Sequence, residues 1–356
     1  MKIAFTYCLL LISIQSFAQK TSLSFSLDSL IQYESNRNNF SGAVMVIEND
    51  KIILSKSVGF ADINKQIKNE LSTKFNIASV GKLFTKVVIL QLVAEGKIKL
   101  NEPVSKFYNS FDSPPLSQIT IADLMNHKAG LRDVYVNKEY INLVENNVPD
   151  FQDKVVSLIS KEELRFIPGT DTKYSNSGYY LLGAVASKID NKSFADVIND
   201  RIFIPLEMNN SGFAKTGDFV PGHAKPYEFK WWGWRISEVE TGLMGDRPSG
   251  AGSQYATVQD LTKLYLSILN DNVLLSDTLK AILFNGSENL DWTEIKNSGR
   301  IIGYVGGDTR GWSAKIGFYF LENKTYGVVI ASNFDNMAHE LDLKMRPYII
   351  ESSKKP

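Results

Sequence analysis

The chain has 356 residues, 44% of them hydrophobic and 22% charged, with 39 basic against 39 acidic side chains. This composition excludes a disordered chain and leaves length for a large core in one or two domains. The balanced charge excludes a basic face for nucleic acid and gives no pull toward an anionic membrane.

The chain begins MKIAFTYCLLLISIQSFAQK. Lys2 is a short positive start, residues 3–14 are largely apolar, and Ser16-Phe17-Ala18 is a small-x-small cleavage sequence. The pattern predicts a secretory signal peptide over residues 1–18 and a periplasmic or secreted mature protein. The other reading, an uncleaved anchor, has an apolar run too short to span a bilayer comfortably. Cys8, the single cysteine, lies in this segment without the Leu-small-small pattern of a lipoprotein signal. The mature chain, 19–356, is therefore expected to carry no disulfide, no thiolate metal site and no stable membrane anchor.

Next, SLDSLIQYESN places Leu27, Leu30 and Ile31 at helical spacing. SGAVMVIEND and KIILSKSVGFADI read as two strands around a tight turn at Asn49-Asp50. In FNIASVGKLFTKVVILQLVAEGKI, Leu83, Val87, Leu90 and Val93 recur at helical spacing after Ser79, and Gly96 is a C-terminal stop. Ser79 is thus expected at a helix N-terminus, with Lys82 one turn along the same face. A serine hydroxyl is a weak nucleophile until a base takes its proton. A lysine amine becomes that base when burial lowers its pKa, and the positive helix end favours negative charge beside it. The same residues also read as a helix-capping serine followed by a surface lysine. A phosphate-binding P-loop is excluded, because Leu83 follows Gly81-Lys82 and the upstream glycine frame is missing.

FIPGTDTKYSNSGYYLLGAV puts Tyr174 and Asn176 in a loop leading into an apolar helix. A tyrosine beside an ammonium can have a lowered pKa and relay protons, and an asparagine can hold a substrate amide through donor and acceptor together. Asn176 as a plain helix cap is the other reading. QDLTKLYLSILN is a further amphipathic helix. With only His127, His223 and His339, no H-E-x-x-H and no G-x-S-x-G, neither metal-dependent hydrolysis nor an α/β-hydrolase is indicated, and no cofactor is called for.

Toward the C-terminus, RIIGYV and SAKIGFYFLENKTYGVVIASN read as three strands, the last two joined at Glu322-Asn323-Lys324. MAHELDLKMRPYII is a closing helix that Pro347 is expected to interrupt. Lone hairpins are marginal, so strands from the two ends should meet. The predicted fold is α+β, an antiparallel sheet from both chain ends (roughly 24–105 and 298–356) flanked by helices, with a mostly helical insertion between.

Ser79-x-x-Lys82 followed by Tyr174-x-Asn176 resembles the serine β-lactamase and penicillin-binding-protein superfamily. The likeness is to the branch of class C β-lactamases, D-Ala-D-Ala carboxypeptidases, D-aminopeptidases and esterases. FSGAVMVIENDKIILSKSVGFAD, TIADLMNHKAGL, IFIPLEMNNSGF and GAGSQYATVQDLTKL are similar to further segments of that branch, in the same order. The resemblance implies a β-lactamase/transpeptidase-like fold, with Ser79 as the acylated nucleophile. Lys82 and Tyr174 would share base and relay work, and Asn176 would bind the acyl amide. His127 matches a family histidine and is read as structural. No metal is implied.

Such proteins close the site with a strand motif, Lys-Thr-Gly or His-x-Gly. The literal Lys215-Thr216-Gly217 is set aside, because Asp218 and Pro221 follow and no β-run surrounds it. In RIIGYVGGDTRGWSAKIGFYF, alignment on the glycines puts Tyr304-Val305-Gly306 at the motif. Gly306 would let substrate approach, and Gly307 would add a second oxyanion N–H to that of Ser79. Tyr304 is neutral where the family carries a cation, which disfavours substrates with a free carboxylate; Arg310 is the candidate replacement. In FKWWGWR, Trp231, Trp232 and Trp234 would line the cleft or pack as a loop. The expected function is a secreted serine hydrolase that forms an acyl-enzyme at Ser79 with a D-amino-acid peptide, a β-lactam or a small ester. The alternative is an inactive member that binds peptidoglycan-type peptides in the same cleft.

Overall fold

The computed structural model describes residues 22–146, 148–214, 218–230, 235–239, 247–284, 291–299, 301–321 and 324–354, without the side chains of 230, 235 and 301–304. The leader 1–18, Lys215-Thr216-Gly217 and Trp231, Trp232 and Trp234 lie outside the described residues, as does the Tyr304 side chain.

Helix α1 (Leu23–Asn36) is capped by Ser22, whose hydroxyl accepts from the Phe25 N–H at 3.2 Å. Its Leu27 and Ile31 are fully buried. Strands β1 (Gly42–Glu48) and β2 (Lys51–Val58) form the first hairpin, with Asn49 in the left-handed conformation that its turn requires. Helix α2 (Gly81–Ala94) runs through the core and is buried on nearly every face, as a helix apolar all round must be. It ends as expected at Gly96: the Gly96 N–H bonds Val93 and the Lys97 N–H bonds Leu92 in a Schellman arrangement. Helices α3 (Asn176–Asp190) and α4 (Val258–Asn270) carry the two amphipathic runs read from the sequence.

Strands β3 (Ile301–Thr309), β4 (Trp312–Leu321) and β5 (Lys324–Ser332) follow. Among the described residues they join the first hairpin in a five-stranded antiparallel sheet of order β3-β4-β5-β1-β2. The two ends of the chain do meet: β1 pairs with β5 from Gly42↔Ser332 to Glu48↔Tyr326.

Strand alternation divides the side chains between two cores. Val44, Val46, Tyr319, Val328 and Ile330 pack on α1 and on α5 (Met337–Ser353). Ala43, Met45, Ile316, Phe318 and Val329 pack on the opposite face against α2 and α4. Buried along its whole length, β4 has no solvent face.

Pro347 does not interrupt the last helix; α5 continues to Ser353. Pro347 and Leu343, whose carbonyl loses its partner there, both lie exposed, so water can take the freed bond.

Between β4 and α5 sits a buried charge cluster. The Lys315 ammonium is 2.7 Å from Asp342, and the two side chains are 1% and 0% exposed. Asp342 also accepts from Arg346 Nε at 2.9 Å and from the Tyr319 hydroxyl. Removing one partner of such a cluster strands a buried charge. Asp342→Ala is therefore expected to lower unfolding stability by about 3 kcal/mol or more. Asp28→Ala, which breaks the more exposed Lys56–Asp28 pair, should cost under about 1 kcal/mol. Urea unfolding of the two variants measures the contrast, and equal losses would contradict it.

Candidate active site

Ser79 lies in a single turn, Ala78–Val80, that leads straight into α2. Ala78 holds a left-handed φ of 45°, and the Asn76 side chain secures it by accepting the Ala78 N–H at 2.8 Å.

Lys82 follows on the first turn of α2 and is 5% exposed. Its Nζ lies 3.0 Å from Ser79 Oγ, 2.8 Å from Asn176 Oδ1 and 2.6 Å from the Ala251 carbonyl. Burial pulls its pKa down to about 7, against the opposing pull of the Asp133 charge. A neutral lysine keeps two protons and one lone pair. Asn176 Oδ1 and the Ala251 carbonyl can only accept, so they claim the two protons. The lone pair is left facing Ser79 Oγ.

Tyr174 places its hydroxyl 2.7 Å from Ser79 Oγ, with its ring 5.0 Å from the Lys82 ammonium. The sequence suggested that a nearby ammonium would lower the Tyr174 pKa. Instead burial raises it, and the phenol stays protonated. Tyr174 is therefore suited to donate and relay a proton, while Lys82 is suited to be the base.

His127 supports this loop. Its Nδ1 accepts the Ser175 N–H at 3.3 Å, and its ring packs on Tyr174 and Tyr179 at 4.7 and 5.0 Å. Burial lowers its pKa to about 4, so it is neutral at physiological pH. His223 packs on Trp312, and His339 lies beside Lys315, so the three histidines occupy three separate places.

Ser175, not Asn176, caps α3, accepting the Gly178 N–H. Asn176 gives its Oδ1 to Lys82 and one Nδ2–H to Asp133 Oδ2 at 2.7 Å. It thus offers a substrate one remaining N–H, rather than donor and acceptor together. The Ala251 carbonyl can reach Lys82 because α3 and the glycine-rich loop touch: a Cβ on Gly250 would sit 2.1 Å from the Tyr179 carbonyl oxygen.

Strand β3 forms the facing wall and corrects two expectations. The turn Arg310-Gly311 closes on Thr309↔Trp312, followed by Asp308↔Ser313 and Gly307↔Ala314. The closing pair of a two-residue hairpin exchanges both hydrogen bonds, and bonded pairs then alternate. Gly307 is therefore bonded to Ala314 and cannot offer its N–H. Asp308 is the residue whose N–H faces the open edge of the sheet.

Gly307 serves packing instead. A Cβ there would lie 2.5 Å from the Ser79 nitrogen and from the Ile77 carbonyl oxygen. Only glycine lets β3 close on the Ser79 turn. Val305 shares the face of Gly307 and packs toward α2. Gly306 lies on the other face, opposite Lys315. The residue two positions before the close-packed glycine is thus Val305, not Tyr304, and it too is uncharged.

Nor does Arg310 enter the site as a replacement cation. Its guanidinium is held by Glu228, with contacts of 2.7 and 3.0 Å, and is 62% exposed. Around Ser79 is an open cavity of about 90 Å³, walled by Asn76, Tyr135, Asn176, Ser253, Asp308 and Thr309 among the described residues.

Four expected residues, Ser79, Lys82, Tyr174 and Asn176, come together within one hydrogen-bonded cluster. Asp133, Ala251 and Asp308 were not singled out from the sequence. Ala251 acts through its backbone and lay inside the GAGSQ segment. Asp308 needed the strand register, and Asp133 had no local signal.

The β-lactamase family model matches residues 27–346 of the chain. Protein flp of Staphylococcus aureus strain MW2 is 30% identical over 63% of this chain and 45% of its own length. Teichoic acid D-alanine hydrolase of S. aureus strain MRSA252 is 32% identical over 64% of this chain and 54% of its own length. The matched part thus spans about half of these relatives. The crystal structure of FmtA from S. aureus superposes with a TM-score of 0.74 at 25% identity, covering 92% of this chain and 87% of that one.

Gly307→Ala should push β3 off the Ser79 turn and lower turnover of an activated ester about 100-fold, on the scale of a lost oxyanion donor. The loss should fall on kcat more than on KM. Wild-type turnover would show that the close approach is dispensable.

Proposed function

The chain belongs to the β-lactamase family, and we propose that it is a serine hydrolase that cleaves small acyl esters or amides lacking a free carboxylate through an acyl-enzyme on Ser79. The observation that carries this reading is the neutral-lysine geometry, with Lys82 Nζ 3.0 Å from Ser79 Oγ beside a cavity wall that holds no cation among the described residues.

In acylation the Ser79 Oγ–C bond forms while the hydroxyl proton passes to Lys82 Nζ, which becomes an ammonium. The carbonyl oxygen takes up the negative charge between the N–H groups of Ser79 and Asp308, at the positive end of α2. Collapse expels the leaving oxygen or nitrogen, which takes a proton relayed by Tyr174 from Lys82. Water, its proton taken up along the same path, then attacks the acyl carbon; the Oγ–C bond breaks, and the proton returns to Ser79 Oγ.

The substrate preference follows from charge and size. The described cavity wall holds no cation, Lys82 serves the chemistry, and Arg310 is paired with Glu228. A carboxylate would enter there without a counter-charge, which disfavours β-lactams and peptides ending in free D-alanine. The cavity suits a short acyl group. One relative is named for hydrolysing D-alanine from teichoic acid. A D-alanyl ester has a small acyl part and no carboxylate, and it is the natural substrate class we favour. The leader sequence at 1–18 would place this activity outside the cytoplasm.

A fluorophosphonate should label the protein stoichiometrically, and Ser79→Ala should abolish labelling. Labelling that survives the substitution contradicts the nucleophile. A p-nitrophenyl ester should be turned over at least about tenfold better in kcat/KM than a chromogenic cephalosporin, since a buried unpaired charge costs well over 1.4 kcal/mol. The reverse order would reject the charge argument.

The active form has neutral Lys82, so kcat/KM should be low in acid, rise through about pH 7 and stay high into the alkaline range. A limb near pH 10 would mean that Lys82 is an ordinary ammonium.

A further inference from the structure

We propose that Asp133 is the positioning residue that aims the Lys82 lone pair at Ser79, acting through the side-chain amide of Asn176. The geometry is a relay of fixed directions. Asp133 Oδ2 is 2.7 Å from Asn176 Nδ2, and Asn176 Oδ1 is 2.8 Å from Lys82 Nζ. An ionised carboxylate can only accept, so it dictates that the NH₂ end of Asn176 turns toward it. The oxygen end is thereby turned to Lys82, where it consumes one of the amine protons. Were the amide reversed, its NH₂ would point at Lys82 and compete with Ser79 for the lone pair. The Ala251 carbonyl cannot prevent this, since it fixes only one direction.

Asp133 is itself held by a clamp. Ser177 Oγ accepts the Val134 N–H at 2.8 Å and donates to the Arg132 carbonyl at 2.5 Å, gripping the chain on both sides of Asp133. The other carboxylate oxygen accepts the Tyr135 N–H at 3.1 Å, capping the turn Val134–Val136. Asn176 and Ser177 are neighbours at the start of α3, so one helix end sets both halves of the contact.

The remaining titratable groups around Lys82 are Tyr174, Tyr179, His127 and Lys86. The two tyrosines are kept protonated by burial, His127 is neutral, and Lys86 is a second amine one turn along α2. Asp133 is the carboxylate whose charge acts on Lys82.

The inference rests on the Ser79 acyl-enzyme reading, and the test separates the two. Second-order fluorophosphonate inactivation rates are measured against pH for the full chain and its variants. Asp133→Asn is nearly isosteric, but it removes the charge and can present either amide end to Asn176. Its plateau rate should fall about 3- to 10-fold, and its acid limb should move to lower pH, because Lys82 loses a stabilising anion. Asp133→Ala should lose about 100-fold. In an Asn176→Ala background the added Asp133→Ala change should leave the plateau rate unchanged, since the aiming of Lys82 acts through that amide, while the acid limb still moves to lower pH.

A wild-type limb and plateau in Asp133→Asn overturn the inference while leaving the acyl-enzyme reading standing. So do Asp133→Ala and Asn176→Ala losses that multiply in the double variant. A wild-type protein that takes no label at Ser79 overturns both. Should Asp133→Ala unfold, the Asp133→Asn profile alone decides.

Discussion

A primary amine buried at the start of a core helix is the constraint around which this protein is arranged. Lysine is an ordinary surface residue in most proteins, yet here Lys82 is 5% exposed and surrounded by acceptors. Burial costs the charged form more than the neutral one. The fold tolerates this because acceptors meet the amine protons, and the proposed chemistry uses it because the neutral form is a base. α2 must therefore run through the interior, and its unusually continuous apolar sequence is what makes that possible.

The other parts approach that amine from distant stretches of chain. α3 brings Asn176, the glycine-rich loop brings the Ala251 carbonyl, and β3 closes the Ser79 side. Two of these approaches depend on missing side chains. Gly250 lets its loop lie on α3, and Gly307 lets the edge strand touch the Ser79 turn. The sheet supplies rigidity to β3 through β4, which is buried on both faces and anchored to α5 by the Lys315–Asp342 cluster. The alternation of β3 is thus pinned from behind: residues 306 and 308 face α5, while 305, 307 and 309 face the site.

This alternation also clarifies the substrate question. Both candidate positions for the family cation, Tyr304 by sequence and Val305 by register, are uncharged. The nearby Arg310 guanidinium is spent on Glu228. The site keeps the hydrolytic apparatus and, among the described residues, lacks the cation that would greet a carboxylate. That combination is what the proposed preference for small esters and amides without a free carboxylate rests on.

Much of this was legible in the sequence alone. The hairpins and the amphipathic helices depend on local periodicity, which a linear chain displays directly, whereas Ser79, Lys82, Tyr174 and Asn176 could be joined into one site only through their resemblance to a known family. Tertiary structure decided what local pattern cannot encode. Strand register, set by a turn several residues away, gave the open N–H to Asp308 and the close packing to Gly307. Ion pairing across strands removed Arg310 from the site. A solvent-facing position let α5 run past Pro347. Asp133, in a loop with no motif of its own, met Asn176 only because folding laid two distant segments side by side. Propensity and spacing act between near neighbours in sequence, whereas the direction of a lone pair is set by neighbours in space.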